Sequence, residues 1–348
     1  MRNTLAILLI LFACSCKENK PTVAANLTSG QMPCIVTDLN NHIHIAYGNG
    51  DSIMYTESAN GGQSFQTPVC IDTLRNLVDF AMRGPQITIT KNGVAIVALN
   101  RTGDIFSYSK DEFGKWKKGS RVNDVDSTCK EGFIGLGSDG NQHLFAAWLD
   151  LRGNKRNKIY GASSSDGGKT WNPNQLLYAS PDSSVCECCK VSVTMKDQHV
   201  YVMFRNWLNG NRDLYLMESK DAGKTFDVPG KLGKNNWPLE GCPMDGGSLS
   251  INGNSVQTAW RRHDSIFSAV PGEEESFITI GKNPSLAAGN NHQLYAWAKA
   301  DTVYYKPDNG EVQVAGKGSL PSVQMINEQN AICVWTNDKN INYLLIKL

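Results

Sequence analysis

The chain has 348 residues, enough for one large all-β domain or for two ordinary domains. Its 34 basic and 33 acidic residues give a formal net charge of +1, which excludes recruitment of nucleic acid or an anionic membrane by a bulk electrostatic field. The 32 glycines and 8 tryptophans fit many short strands joined by turns. We predict no cofactor and no nucleic-acid partner, and we expect a monomer.

The N-terminus has the pattern of a targeting segment. Arg2 precedes an apolar run over residues 5–13, which is too short to span a membrane and is typical of a signal peptide. We therefore predict a lipoprotein signal peptide over residues 1–13. A plain secretory signal with incidental cysteines is the alternative.

A lipidation site follows the apolar run. Residues 11–14 (LFAC) resemble a bacterial lipobox, so we predict that Cys14 carries the lipid, with Cys16 as a competing site. The polar, Pro-containing residues up to 25 form a predicted tether over 14–25. The expected location is the bacterial envelope, with the chain held at the outer membrane by its lipid.

From residue 33 onward, the chain repeats a pair of apolar strand-like segments at intervals of roughly 40–57 residues, which match four-stranded propeller blades. The pairs begin at Pro33, Pro85, Phe133, Val191, Ser248, Pro284 and Pro321. We predict an all-β β-propeller over residues 26–348, with seven blades by this count and six as the alternative. A strand near residues 23–27 is expected to close the ring, so that no sheet edge stays open.

An eight-residue turn recurs after these strand pairs. Residues 164–171 (SSDGGKTW) and 219–226 (SKDAGKTF) are two copies, residues 58–65 (SANGGQSF) are a third, and residues 109–116 (SKDEFGKW) are a frayed fourth. The Asp or Asn side chain can accept hydrogen bonds from backbone N–H groups ahead of it, and glycine supplies a positive φ. The closing aromatic residue is expected to pack under the turn.

This turn resembles the Asp box, and the chain is similar to the sialidase-like β-propellers, also called BNR-repeat proteins, over nearly all of its predicted mature length. The segment from Cys186 to Gly246 also resembles one found in exported propellers of this superfamily. The Asp box is specific for the fold, but it occurs in sialidases, other glycosidases and non-catalytic propellers. Sialidases themselves have six blades.

The resemblance implies a sialidase-like glycoside hydrolase that acts on an acidic-sugar glycan as a retaining exo-glycosidase. The alternative is a non-catalytic, lipid-anchored propeller that binds a glycan or a protein, with or without a cysteine metal site. In both cases the expected ligand is a glycan bearing a carboxylate, because arginines are abundant at the end of the ring where the first strand of each blade begins. A guanidinium binds a carboxylate through two parallel hydrogen bonds.

The resemblance also implies particular site residues. Residues 82–85 (MRGP) resemble the sialidase Phe-Arg-Ile-Pro motif, although they follow the first turn copy instead of preceding it. The predicted substrate-binding residues are Arg83, Arg205, Arg261 and Arg262. Asp150 is the implied acid/base and Glu131 the implied partner of a nucleophile, for which no tyrosine can be matched. Alternatively, the arginines pair with acidic residues such as Asp150, Asp213 or Asp264 and tie blades together.

Cysteines form the second unusual signal. Five of them fall in equivalent connections of consecutive blades and are expected to be neighbours: Cys129, Cys186, Cys188, Cys189 and Cys242. Disulfide bonds are the first interpretation for an exported chain. The alternative is that Cys186, Cys188, Cys189 and Cys242 form a thiolate cluster holding copper or zinc. Cys34 and Cys70 are candidates for a further bridge, and Cys333 is expected to be buried.

Overall fold

A computed structural model describes residues 23–348 apart from Glu112, Ser183 and Asn290. The predicted signal peptide, Cys14, Cys16 and most of the predicted tether lie outside these residues. Within the described part of the chain, every regular element is a β-strand, and no helix is long and apolar enough to cross a membrane.

The 28 strands of the described residues form seven sheets of four strands, each sheet being one blade of a propeller. Blade one contains β2 (Gln31–Thr37), β3 (Ile43–Asn49), β4 (Ser52–Ser58) and β5 (Val69–Thr73). Blade two contains β6 (Gln86–Thr90), β7 (Gly93–Leu99), β8 (Ile105–Lys110) and β9 (Trp116–Arg121). Blade three contains β10 (Ile134–Ser138), β11 (Leu144–Asp150), β12 (Lys158–Ser164) and β13 (Gln175–Tyr178). Blade four contains β14 (Ser192–Lys196), β15 (His199–Arg205), β16 (Leu214–Ser219) and β17 (Gly230–Lys231).

The remaining blades complete the ring. Blade five contains β18 (Ser248–Asn252), β19 (Ser255–Arg262), β20 (Ser265–Ala269) and β21 (Ser276–Ile280). Blade six contains β22 (Lys282–Ala288), β23 (Gln293–Lys299), β24 (Thr302–Pro307) and β25 (Gln313–Lys317). Blade seven contains β26 (Ser319–Asn327), β27 (Asn330–Asn337) and β28 (Asn340–Lys347), and its outer strand is β1 (Ala25–Ser29).

Blade seven therefore joins the two ends of the chain. β1 pairs antiparallel with β28, with Ala25 opposite Tyr343 and Ser29 opposite Asn340. The predicted β-propeller, its seven blades and its closure by an N-terminal strand are confirmed, and the six-blade alternative is wrong. β1 begins at Ala25, one residue before the predicted start of the propeller.

The second strand of each blade forms the core, because neighbouring blades cover it on both faces. These strands read as nearly continuous apolar runs, as expected for strands buried on both sides. Large buried aromatic side chains occupy similar positions near their ends: Tyr47, Trp148, Phe204, Trp260, Trp297 and Trp335. Trp148 of blade three packs with Val97 of blade two in one apolar cluster. Each such side chain contributes about 1.5–3 kcal/mol by burial, and together they hold the blades side by side.

The recurring turn has the hydrogen bonds that its sequence predicts. Asp166 Oδ1 accepts from the backbone N–H groups of Lys169 (3.0 Å) and Thr170 (2.9 Å), and Ser164 Oγ accepts from the N–H of Gly168 (2.9 Å). Asp221 repeats this arrangement in blade four. The closing aromatic residue packs against the preceding blade: Phe226 of blade four lies 5.3 Å from Phe145 of blade three, measured between ring centroids.

The strand register places these turns at one end of the ring. β11 pairs with β12 so that Asp150 faces Lys158 at one end and Leu144 faces Ser164, the first residue of the turn, at the other. β10 begins at Ile134, opposite Trp148 and near the end that holds Asp150. We call the end where first strands begin the top face. The recurring turns lie at the bottom face.

Candidate functional site

The top face opens into a central channel lined by the first strands of all seven blades. At its mouth is a cavity of about 620 Å³, counting its open entrance. The residues that line it come from the first strands, and the connections that lead into them, of six blades, all but blade three: Met32, Pro33, Cys34, Met82, Gln86, Lys190, Asp245, Gly246, Gly247, Ser248, Asn283, Pro284, Ser285, Leu320, Pro321 and Ser322. We call this cavity the mouth. It combines apolar side chains with a few polar groups, as ligand pockets commonly do.

Three first strands reach the mouth through the same backbone irregularity. Met32, Asn283 and Leu320 each precede a proline and have φ values of 53°, 53° and 56°. The strand register shifts at each of these positions. A bulge re-aims side chains, and a non-glycine residue at positive φ is uncommon and costs of order 1–3 kcal/mol. Backbone strain of this kind clusters at functional sites, which favours the mouth as the site of function.

Met82 completes the apolar lining from blade two. Its φ is 68°, and its thioether sulfur accepts a hydrogen bond of 3.1 Å from Asn283 Nδ2. Among residues 23–348 that the structure describes, no group donates to Asn283 Oδ1, which can accept a hydrogen bond from a ligand. The sequence patterns do not point to Met32, Asn283 or Leu320 as site residues, and Met82 enters only as the first residue of the MRGP segment. The sequence does contain a signal for three of these positions, because a residue–proline pair lies near the start of the first strand in three blades.

Lys190 is the cationic group of the mouth. Its backbone N–H donates to the carbonyl of Asp245 at 3.3 Å, and a Cβ at Gly246 would lie only 2.7 Å from the Cβ of Lys190. Within the described residues, Nζ of Lys190 has no hydrogen-bond or ion-pair partner. Its charge is therefore available to a ligand.

Arg261 forms a buried ion pair at the edge of the mouth. Its Nε lies 2.6 Å from Oδ2 of the fully buried Asp245, and its Nη2 donates to the carbonyl of Pro243 at 2.7 Å. The Nε–H does not point along the line to the oxygen, so the contact is an ion pair and not a linear hydrogen bond. Burial raises the pKa of Asp245, and Arg261 opposes that shift.

The other predicted arginines are also engaged within the protein. Arg205 is buried, and its Nη1 and Nη2 donate to the backbone carbonyls of Arg212 (2.6 Å) and Arg261 (3.0 Å). Arg83 Nε donates to the carbonyl of Glu131 at 2.6 Å, with its guanidinium 4.0 Å from the ring centroid of Phe133.

Arg262 lies apart from the other three. It forms a bidentate salt bridge with Glu275, in which Nη1 donates to Oε2 at 2.8 Å and Nη2 donates to Oε1 at 2.5 Å. The structure thus brings Arg205 and Arg261 into contact, and gives all four arginines partners inside the protein. Their role in binding a substrate carboxylate stays a prediction.

The two carboxylates predicted to be catalytic have different surroundings. Asp150 is fully buried and accepts hydrogen bonds from Thr128 Oγ1 (2.8 Å), Trp148 Nε1 (2.8 Å) and the Arg152 guanidinium (2.8 and 3.0 Å). Burial by itself would raise the pKa of Asp150, but these hydrogen bonds outweigh it and hold the pKa below its ordinary value. An ionised, fully bonded carboxylate is suited to anchoring Arg152 and not to donating a proton.

Glu131 differs from Asp150 in the direction of its pKa shift. Its side chain is partly buried, and burial raises its pKa, opposed by Arg83 and reinforced by the negative charge of Glu187. A raised carboxyl pKa is what a general acid requires. The role of Glu131 in catalysis also stays a prediction.

Four of the five cysteines expected to be neighbours are brought together. Cys188 and Cys242 form a disulfide bond, and Sγ of Cys186 lies 3.7 Å from that of Cys188 and 3.3 Å from that of Cys189. Cys129 is instead buried in the apolar core between blades two and three, so its expected membership of the group is wrong. Equivalent positions in sequence do not fix which side of a blade a side chain faces.

Outside this group, the cysteines of the described residues are free thiols: Cys34, Cys70, Cys129 and Cys333. Cys34 and Cys70 are not bridged, which excludes the candidate bond within blade one. Cys333 is buried in β27, as predicted. Burial raises the pKa of the Cys129 and Cys333 thiols, so both stay protonated and inert.

Comparison with known proteins supports the fold alone. No family model and no curated protein matches the sequence. The BP39L lectin from Burkholderia pseudomallei is 9% identical with a TM-score of 0.65, over 92% of this chain and 96% of the lectin. The GH93 α-L-arabinofuranosidase of Fusarium graminearum, solved with arabinobiose, is 10% identical with a TM-score of 0.55, over 93% and 97%. An Aleuria aurantia lectin mutant, solved with α-methyl-L-fucoside, is 9% identical with a TM-score of 0.54, over 86% and 98%.

These structural neighbours include lectins and a glycoside hydrolase. At such low identities they establish a β-propeller, consistent with the sialidase-like propellers that the sequence resembles.

Proposed function

We propose that this propeller binds glycans that carry a carboxylate, and that it does so at the mouth without cleaving them. The observation that carries the proposal is that Lys190, whose ammonium group has no partner among the residues that the structure describes, lines a cavity with several apolar side chains. A sugar acid has an apolar C–H face, hydroxyl groups and one negative charge, so it needs a surface with these same three features.

The mouth supplies each of them. Met32, Met82 and Leu320 offer apolar contact, and Lys190 offers a charge-assisted hydrogen bond to the carboxylate. The side chain of Asn283 and the hydroxyl of Ser285 can bond to sugar hydroxyls. The strained backbone at Met32, Asn283 and Leu320 keeps these groups in place before the ligand arrives, which lowers the entropy cost of binding.

The structural neighbours support a glycan as the ligand class. Two of the three propellers compared are lectins, and two were solved with a saccharide bound. The arginines predicted from sequence contribute to this proposal by holding the loops around the mouth, since their donors already bind protein groups.

Glycan binding is tested by titrating the purified protein with sialosides and uronic-acid oligosaccharides, and with analogues whose carboxylate is converted to an amide. We expect Lys190→Gln to weaken binding of the acidic glycans about tenfold or more, because a hydrogen bond to a charged group contributes about 1.5–3 kcal/mol. The same substitution should change the affinity for the amide analogues little, because they carry no negative charge. Lys190→Arg should retain most of the affinity.

Lys196 provides the matched control. It lies at the bottom end of β14, where Nζ donates to Asn254 Oδ1 at 3.2 Å. Lys196→Gln removes the same charge from the other end of the segment that contains Lys190 and β14, and it should leave glycan binding unchanged. Equal affinity of wild type and Lys190→Gln for acidic glycans would refute the proposal.

A glycosidase that acts on the same acidic glycans is the second candidate, favoured by the raised pKa of Glu131 beside Arg83. Turnover of sialosides and uronic-acid glycosides is measured with the wild type, Glu131→Gln and Asp150→Asn. Turnover that depends on Glu131 would establish the enzyme and replace the non-catalytic proposal. The non-catalytic proposal expects binding without turnover.

We also propose that the protein is exported and tethered to the envelope through a lipid on Cys14. The disulfide between Cys188 and Cys242 supports an oxidising compartment. Labelling with a fatty-acid analogue should mark the wild type and the Cys16→Ser variant but not Cys14→Ser. Labelling of Cys14→Ser would assign the lipid elsewhere.

A further inference from the structure

Four cysteine side chains meet where the chain enters blade four. Cys186, Cys188 and Cys189 are buried together, and their sulfur atoms all lie within 4.8 Å of one another. The fourth, Cys242, arrives from the connection to blade five and is bonded to Cys188. The glycan-binding proposal makes no use of this cluster.

The spacing of the sulfur atoms suits a tetrahedral metal site. A Zn–S bond of about 2.3 Å places two sulfurs of a tetrahedron about 3.8 Å apart. The two non-bonded separations from Cys186 are 3.7 Å to Cys188 and 3.3 Å to Cys189. Small side-chain rotations are sufficient to bring these sulfurs to the tetrahedral spacing.

Two buried guanidinium groups lie beside the cluster. Arg212 is buried, and its Nη1 lies 3.1 Å from Cys186 Sγ, with the carboxylate of Glu187 at 3.6 Å. Arg205 is also buried; within the described residues it has no carboxylate at ion-pair distance, although Asp213 and Asp245 lie near enough to interact with its charge, and its Nε lacks a hydrogen-bond partner. Negative charge on the cysteines would therefore meet a favourable electrostatic environment.

A metal thiolate supplies that charge. Four thiolates around Zn²⁺ carry a net charge of −2, and four around Cu⁺ carry a net charge of −3. Either charge is attracted to the guanidinium groups of Arg212 and Arg205, which lie beside Cys186. Thiols and a disulfide, by contrast, carry no formal charge.

We propose that Cys186, Cys188, Cys189 and Cys242, once reduced, hold one soft metal ion with a filled d shell, either Zn²⁺ or Cu⁺. These ions prefer thiolate ligands. The disulfide prevents Cys188 and Cys242 from binding a metal as thiolates, and its reduction makes both sulfurs available. A dithiol reductant transfers two electrons and two protons to the Cys188–Cys242 bond, which breaks to give two thiols while the reductant forms its own disulfide. Metal binding then displaces protons from the coordinating thiols.

The position of Cys242 makes this reaction accessible. Cys242 is exposed, whereas the other three cysteines are buried. A reductant can therefore reach the disulfide from the Cys242 side, and Cys242 can return as the ligand that closes the site toward solvent.

The test uses the purified full chain, reduced without oxygen and freed of metal, in parallel with the oxidised protein. Zn²⁺ is titrated in competition with a chromogenic chelator, and Cu⁺ in competition with bicinchoninate, so the two arms identify the ion. Co²⁺ gives an independent signature, the visible absorption of tetrahedral cobalt thiolate. We expect one ion per reduced chain and at least about a hundredfold weaker binding by the oxidised chain.

Variants test the ligand set. Cys186→Ser and Cys242→Ser should each weaken binding about a hundredfold or more and alter the cobalt spectrum. Cys70→Ser, at an exposed thiol of β5, is the matched control and should bind as the wild type does. Because Cys242 is exposed, its variant is expected to fold even if Cys186→Ser does not, and melting of the metal-free proteins checks this.

Three outcomes would overturn the proposal. They are absence of stoichiometric binding of either ion by the reduced chain, equal affinity of the reduced and oxidised chains, and unchanged binding by folded Cys242→Ser.

Discussion

The bottom and top faces of this propeller are built from the same repeat but differ in which residues occupy left-handed backbone positions. At the bottom, the left-handed position of the recurring turn is held by small residues, with φ of 66° at Gly61, 76° at Gly167 and 60° at Ala222, and Asp166 bonds its own turn. At the top, Met82 and Leu320 occupy left-handed positions with φ of 68° and 56°. A large side chain at a left-handed backbone position is unfavourable. Where such a conflict between residue type and backbone persists, it indicates a functional constraint.

The faces also differ in the range of their contacts. Ser164 and Asp166 bond within five residues of sequence, whereas Arg205 Nη2 donates to a carbonyl 56 residues away. The hydrogen bonds inside each recurring turn are therefore local, although the closing aromatic residue of blade four still packs on blade three. The top face depends on connections between blades, so a single substitution there is expected to disturb several of them.

The largest effect is expected from Arg205→Ala. It removes two hydrogen bonds from a buried guanidinium and leaves the carbonyls of Arg212 and Arg261 without these donors. Because each hydrogen bond to a charged group contributes about 1.5–3 kcal/mol, we expect the free energy of unfolding in urea to fall by about 3 kcal/mol or more. Arg156→Ala, at an exposed arginine, should change it by less than about 0.5 kcal/mol.

A different result at Arg205 would change the description of the top face. If Arg205→Ala unfolds like the wild type yet no longer binds acidic glycans, then Arg205 contacts the ligand, as its sequence position predicts.

The second effect concerns the bottom face. Asp166→Ala removes an acceptor of hydrogen bonds from Ser164 Oγ, Lys169 N–H, Thr170 N–H and Thr170 Oγ1. Since this turn is partly exposed and water replaces some of these bonds, we expect a loss of about 1–2 kcal/mol in the free energy of unfolding. Glycan affinity should stay at the wild-type value. Loss of affinity without loss of stability would place ligand contacts at the bottom face.

A matched pair of substitutions compares the backbone at the two faces. Gly167→Ala puts a side chain at φ 76° and should lower stability by about 1 kcal/mol. Met244→Gly, at φ 48° on the top face, relieves strain at a half-exposed residue and should raise stability by roughly 0.5–1 kcal/mol. Thermal unfolding of both variants measures the difference. Destabilisation by Met244→Gly would show that packing of this side chain outweighs backbone strain.

Sequence was sufficient for the features that depend on local patterns. The seven strand pairs and the hydrogen bonds around Asp166 follow from residues close in sequence, and the closing strand follows from a last blade that has only three strands of its own. The partners of Arg205 and Arg261 could not be predicted in this way. They include the backbone carbonyls of Arg212 and Pro243, and every residue has a carbonyl, so the sequence does not show which one accepts a hydrogen bond. Cys129 was misplaced for a related reason, since its side chain faces the core between two blades.

The smallest expected effect is a change in acid stability at the bottom face. Hydrogen bonds from Thr225 and Ser219 lower the pKa of Asp221 to about 2, below its unfolded value of about 3.9. A carboxyl group with a lowered folded pKa stabilises the protein above the unfolded pKa, and this contribution is lost as pH falls from about 4 through 2. Asp221→Asn should therefore flatten the dependence of unfolding free energy on pH in that window. Its cost at neutral pH should stay under about 1 kcal/mol, because solvent screens charge at an exposed turn. Asn60 already occupies the equivalent position in blade one and accepts the N–H of Ser64 at 3.0 Å, so the variant turn is expected to form. An unchanged slope between pH 4 and 2 would mean that Asp221 keeps an ordinary pKa in the folded protein.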